Sequence, residues 1–247
     1  KEEQIMEFES YVGEPNVERL IRAFKREEVD RVPNWENLIE DQHVERVLGR
    51  QGGNTLAYGG DPAKGIVDPE KVRPMYPNDY IELCKVVGQD AIMIEALWTP
   101  FKKEDENGKA INVSDRSVKN IQDYRKLKKP SESDIERILK YVKEYKEAVK
   151  GTKIGVSVFF GCLIQTFYEF IVGMNDFMMA CYEDRFFVEE MLEDSTEYWT
   201  KFCKAIVDAG VDFIYPADDV AFKTGLFLPP KLFREIWVPR YEKIFSP

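Results

Sequence analysis

Val211-Asp212-Phe213-Ile214-Tyr215-Pro216-Ala217-Asp218-Asp219 is an apolar run ending in two aspartates, and its reading decides the fold. Gly210 precedes it, and no polar residue alternates through its centre. A strand of this kind is buried on both faces, which is the habit of parallel sheets. Two earlier runs have the same look: Asp90-Ala91-Ile92-Met93-Ile94-Glu95 after Gly88, and Ile154 to Phe160 before Gly161. Arg31 to Asn37, extended by Pro33, is read as a first strand. Four strands therefore begin near 31, 90, 153 and 212. Between them lie helical patterns. Val17, Leu20, Ile21 and Phe24 recur at three and four residues after Glu14-Pro15-Asn16. Ile135, Ile138, Leu139 and Val142 make the stripe of a helix over 131–150, capped by Ser131 or Ser133 and closed by Gly151. A long helical region follows Gly161 as far as Val207, and a last helix over about 231–245 starts at Pro229-Pro230. Residues 51–80 are rich in Gly, Pro, Asn and Asp and predict little helix, and Lys102 to Lys109 reads as a hairpin or loop tip. The expected architecture is a parallel α/β sheet covered by helices on both faces.

The chain has 247 residues, with 35 basic against 45 acidic side chains and a net charge of −10. An acidic surplus argues against nucleic acid and anionic membranes, which need clustered Lys and Arg. It leaves a neutral or cationic small ligand easier to place than a polyanion. Four cysteines, Cys84, Cys162, Cys181 and Cys203, stand far apart and form no C-x-x-C pair, which points to a reducing cytoplasm rather than a disulfide framework. The opening residues are charged and lack the apolar core of a leader, and no apolar run is long enough to span a membrane.

In parallel α/β folds ligands bind at the carboxyl ends of the strands. Those ends supply Trp35 and Glu36, then Glu95 with Trp98 beyond it, then Phe159, Phe160 and Gly161, then Asp218 and Asp219. Carboxylates crowded among aromatic rings raise one another's pKa, so that one can serve as an acid, and they can also hold a cation. His43, the single histidine, sits in a charged helical stretch with no second histidine or cysteine nearby and reads as a surface residue rather than a ligand. Cys162 follows a strand end but lacks a histidine partner, so it reads as a packed thiol. The rings of Phe159, Phe160, Phe167, Tyr168 and Phe170 read as core, with the Tyr168 hydroxyl in need of a partner. The glycine pairs of Gly52-Gly53 and Gly59-Gly60 neither follow a strand nor open a helix, so they make a poor phosphate loop.

Glu18-Arg19-Leu20-Ile21-Arg22-Ala23-Phe24 through Asp30-Arg31-Val32-Pro33-Asn34-Trp35 resembles the start of the uroporphyrinogen decarboxylase superfamily. Ala209-Gly210-Val211-Asp212 through Asp218-Asp219 is similar to it too, as are Leu228 to Glu235 and Pro239-Arg240-Tyr241. The resemblance implies a (β/α)8 TIM barrel, with this chain covering its first half as a single domain: a helix within 1–30, then four βα units over 31–247 with a long 38–89 excursion. It implies an enzyme. The decarboxylases grip their polycarboxylated substrate with two arginines in a P-V-W-x-M-R-Q-A-G-R segment; here Leu38 and Gln42 occupy those positions, and Leu97 stands where their second-strand aspartate belongs. Tyr168 and Asp218 match the family, while Asp219 replaces a serine. A polycarboxylate held without arginines is poorly held, so the methyltransferase branch fits better than uroporphyrinogen decarboxylation in porphyrin biosynthesis or a non-catalytic ligand-binding barrel. That branch implies zinc, with ligands expected beyond Pro247 and none assigned within this chain. It also implies a methyl-corrinoid carried by a partner protein, a small methylated substrate, and a monomer or homodimer. The site expectation is Asp218 and Asp219 as catalytic groups, with Trp35, Glu36, Glu95, Phe160 and Tyr168 around the substrate.

Overall fold

A computed structural model describes residues 13–37, 39–52, 75–98, 102–104, 110–112, 118–161 and 163–246. Its elements run α1 (Val17–Phe24), α2 (Asp41–Leu48), α3 (Pro77–Val87), β1 (Ala91–Leu97), β2 (Lys102–Glu104), β3 (Ala110–Asn112), α4 (Ile121–Arg125), α5 (Glu132–Ala148) and β4 (Gly155–Gly161). A π-helical segment over Thr166–Ile171 follows, then α6 (Met174–Glu183), α7 (Arg185–Asp208), β5 (Phe213–Ala217), β6 (Ala221–Phe222), β7 (Gly225–Leu226), α8 (Pro230–Ile236) and α9 (Val238–Phe245).

The three apolar runs form one parallel sheet in the order β1-β4-β5. Its register sets Glu95 opposite Phe159, and Phe159 opposite Tyr215. Charged hairpin residues behave as expected, with β2 and β3 antiparallel.

The expected first strand is absent. Over Arg31–Asn37 the backbone is extended but makes no ladder among the described residues. Pro33 has no N–H to donate, and Asn34 spends its own amide on the Asp90 carboxylate (3.0 Å) and its carbonyl on the Asp90 amide (2.7 Å). The segment is thus held by individual hydrogen bonds rather than by a ladder, and among the described residues the parallel sheet has three strands where the sequence suggested four. Of residues 51–80, read as having little helix, the described end from Pro77 onward opens α3, which Gly88 closes at φ 72°.

Side-chain alternation separates the two faces of the sheet. Ile92, Ile94, Ala96, Val156, Val158 and Phe160 point into a core with Leu83 from α3, Ile135 and Val142 from α5, and Trp199, Phe202 and Ile206 from α7. The opposite face carries Ser157, Phe159, Phe213 and Tyr215, with Trp35 laid across it. Its indole N–H donates to Ser157 Oγ (3.0 Å), and its ring meets Phe213 and Tyr215 edge-on at 5.4 and 5.1 Å. Among the described residues the helices that pack on the strands, α3, α5 and α7, therefore share one face, where two covered faces were expected. A second core gathers Trp98, Tyr124, Phe167, Phe177, Phe187, Met191, Ile236 and Tyr241 beyond the strands' carboxyl ends. Helix α7, 24 residues long, joins both cores. Asp184 caps it by accepting from the Phe187 amide.

The amino end of the sheet is a polar knot. Asp90 is fully buried and accepts from Arg19, from Arg31 (3.0 Å) and from the amides of Asn16 (2.8 Å) and Asn34. Arg19 also grips Asp30 with two N–H bonds, which hold that carboxyl well below the usual range. At the head of β5, Asp212 binds Lys146 and the Val156 amide. Gly155 lets α1 close on this end: a Cβ there would stand 2.3 Å from Val17 Cγ2. No helix of the described residues is long and apolar enough to cross a membrane.

Candidate active site

At the carboxyl end of β5 the chain delivers Asp218 beneath the turn that follows β4. Its carboxylate accepts from the amides of Ile164 (3.0 Å) and Gln165 (2.8 Å), and from Trp237 Nε1 (2.7 Å). Two amides at the start of a helical segment make a natural seat for an anion. Burial works against the charge, however, and outweighs these donors, so the Asp218 pKa is pushed up to about 6. Asp218 therefore ties together three segments and changes charge near neutral pH.

Trp237 was not legible as a site residue. The sequence suggested one helix over 231–245, but the chain breaks at Trp237 between α8 and α9, because Pro239 cannot donate to a carbonyl one turn back. The break turns the indole toward Asp218, and Phe233 and Tyr241 hold it with ring centroids at 4.8 and 4.3 Å. A cleft of about 570 Å³ opens here, lined by Pro216, Asp218, Trp237 and Tyr241 among others.

Asp219 is exposed. Its amide donates to Gln165 Oε1 (3.0 Å), and its carbonyl accepts from the buried Tyr168 hydroxyl (2.8 Å). Gln165 turns its own amide nitrogen to Glu169 Oε2 (2.7 Å) and Asp219 Oδ2 (3.4 Å), bridging two carboxylates. Tyr168 thus has the partner its polar tip required. It sits in the π-helical segment, a local irregularity that often marks functional positions.

The other expected site residues divide by face. Glu95 is buried on the same face as Phe159, Tyr215 and Trp35, and Phe159 stacks on Tyr215 at 5.6 Å. Phe160 does not belong with them. Alternation sends it to the helix side, where it packs on Trp199 and Phe202 at 5.5 and 5.6 Å. Its neighbour Phe159 lies on the opposite face, with Glu95 and Tyr215. Glu36 is exposed, and its carbonyl accepts from Gln89 Nε2. Leu38, Cys162, the glycine pair Gly59-Gly60 and the Leu97 side chain lie outside the described residues.

Among the described residues no three His, Cys, Asp or Glu side chains converge on a point that could hold a metal. The described thiols do not fit zinc. Cys84, Cys181 and Cys203 are buried, and burial raises their pKa, to about 11 for Cys181, which keeps them protonated. Zinc prefers thiolate or imidazole, and His43, the single histidine, is exposed on α2.

The sequence over residues 91–247 matches the family model for uroporphyrinogen decarboxylase (URO-D). A solved structure, described as a methyltransferase from Methanosarcina mazei, shares this fold with a TM-score of 0.62 at 19% identity, over 92% of this chain. The chain spans about 65% of the length of that protein. No curated protein sequence matches it significantly. The matched region holds the whole three-stranded sheet, the turn that seats Asp218 and the broken helix that turns Trp237 toward it, and on that ground the chain belongs to the uroporphyrinogen decarboxylase (URO-D) family.

Proposed function

We propose that this chain forms the substrate-side part of a TIM-barrel methyltransferase, one that moves a methyl group between a small methylated substrate or thiol and a corrinoid protein. The observation that carries this reading is the chemistry of the strand ends. The groups brought together there are Trp35, Glu95, Phe159, Tyr215, Gln165, Glu169, Asp218 and Asp219, which are rings, an amide and carboxylates. A polycarboxylated tetrapyrrole requires guanidinium or ammonium groups in such a place, whereas a methylated neutral or cationic compound is suited by ring faces and carboxylates.

Within this reading Asp218 orders the mouth. Its three N–H donors fix the turn after β4 against β5 and α8–α9, and a pKa of about 6 lets it hold or release a proton at physiological pH. Asp219, exposed and steered by Gln165 and Tyr168, is the carboxylate that meets substrate. Trp35, Phe159 and Tyr215 exclude water from the methyl group. The zinc that the branch implies would activate a thiol as thiolate and be held by groups other than those described.

The test supplies the intact protein with zinc ions, methylcobalamin and a small thiol, and follows the corrinoid spectrum. The expected outcome is thiol-dependent transfer: the cobalt–carbon bond breaks heterolytically, the methyl passes to sulfur, cobalt keeps the electron pair as Co(I), and the thiol proton goes to solvent. Trp35→Ala and Asp219→Ala should slow it. Conversion of uroporphyrinogen to a less carboxylated product without methyl transfer would hand the site to the decarboxylase reading that the family name favours. Silence in both assays, with ligand binding retained, would leave a non-catalytic barrel.

A further inference from the structure

On the helix side of the sheet, away from Trp35 and Asp219, a cavity of about 340 Å³ lies between α7 and the segment that leads into α5. Its walls include four rings: Trp98, Tyr124, Tyr198 and Trp199. Asp194, Glu132 and Glu197 add carboxylates, and Lys201, 4.0 Å from Glu132, adds a second ammonium beside Lys129. An ammonium group already exploits this chemistry. Lys129 Nζ stands 4.4 Å from the centre of the Tyr124 ring while pairing with Asp194. That is the arrangement by which ring faces and a carboxylate recognise organic cations, and a ring face repels an anion for the same reason.

A second observation points to a ligand. Ser195 lines the cavity, is 94% buried, and its hydroxyl makes no hydrogen bond among the described residues. The neighbouring hydroxyls of α7 behave otherwise. Thr196 and Thr200 each donate to the carbonyl four residues back, at 2.6 and 2.7 Å. Ser195 could close the same local bond and does not. A buried hydroxyl left without a partner costs roughly 1–3 kcal/mol and calls for an explanation.

We propose that this cavity binds a small organic ammonium ion carrying a hydroxyl, with Lys129 as an internal occupant that the ligand displaces. The cation takes the place of the lysine ammonium against Tyr124 and Asp194, and a turn of Ser195 about χ1 brings its hydroxyl, which the packing now encloses, to the ligand hydroxyl. Lys129 is free to leave because about a third of its side chain is already in water. The cavity shares no lining residue with the groups proposed around the methylated substrate.

The probes are choline chloride and tetramethylammonium chloride, titrated calorimetrically into the intact protein at constant ionic strength. Wild type should bind choline weakly, in the millimolar range. Lys129→Met should bind it roughly tenfold tighter, because the competing ammonium is gone. Adding Asp194→Asn should reverse that gain, and Ser195→Ala should erase the preference for choline over tetramethylammonium. If Lys129→Met does not fold, Lys129→Gln carries the same comparison. Choline binding that is absent from both the wild type and the Lys129 variant overturns the proposal. So does acetate binding to wild type that Lys129→Met abolishes, since that would make the cavity an anion site.

Discussion

Aspartates stand at both ends of the sheet, and the two ends treat them in opposite ways. At the amino end Asp90 is fully buried yet faces two guanidinium groups and two amides, so its charge is matched. At the carboxyl end Asp218 is seated by dipolar groups, among them two amides and an indole, with no cation among its described partners, and its pKa rises to about 6. Dipolar donors soften the desolvation of a carboxylate but do not cancel it, whereas guanidinium partners add a full opposite charge. The amino end is thereby built for rigidity. At the other end a carboxylate is kept near the point of changing charge, which suits chemistry better than stability.

The sharpest way to break this contrast is at Asp90. Asp90→Ala should lose about 3–5 kcal/mol of unfolding free energy, because Arg19 and Arg31 would be left beside an apolar hole. A denaturant titration showing less than about 1 kcal/mol would mean that the knot is not the anchor of this end. Gly155→Ala should cost about 1–3 kcal/mol by pushing α1 off the sheet, since the added carbon would overlap Val17.

Asp218 supplies the pH test. Its folded pKa lies above that of an unfolded aspartate, so the stability it contributes is complete below pH about 4 and is lost as pH rises through about 6. The unfolding free energy of wild type relative to Asp218→Asn should fall by on the order of 2 kcal/mol across that window. A difference that stays flat from pH 4 to pH 7 would contradict the burial argument. Asp30 runs the other way: Arg19 depresses its pKa, so its contribution is present above pH about 4 and disappears on strong acidification. The smallest effect is expected at Tyr168. Tyr168→Phe removes one hydrogen bond to the Asp219 carbonyl and should cost about 1 kcal/mol, with a larger effect on turnover if Asp219 meets substrate.

Much of this was legible from local pattern. The runs at 91–97, 155–161 and 213–217 are continuous apolar stretches bounded by glycine or charge, and all three are strands of one parallel sheet. Helix α5 was announced by its stripe and by a serine cap, Ser131 or Ser133, and the structure chooses Ser131, in a capping box with Asp134. The extended segment at 31–37 misled, because extension comes from Pro33 locally while a strand requires a partner whose hydrogen bonds are in register. Phe159 and Phe160 could not be told apart, since parity along a strand has meaning only once one face is known to be covered. Trp237 was hidden twice over, by 19 residues of separation from Asp218 and by a helix break.

The sequence alone therefore determined what is set by neighbours along the chain: which stretches are strands or helices, that the sheet is parallel, and which strand ends carry acid. Only the tertiary structure decided which ring lies on the Trp35 face of the sheet, which aspartate has cations and which is seated by dipoles, and where an indole meets a carboxylate. Period and propensity act over a few residues, whereas charge matching and burial depend on groups that fold together from distant parts of the chain.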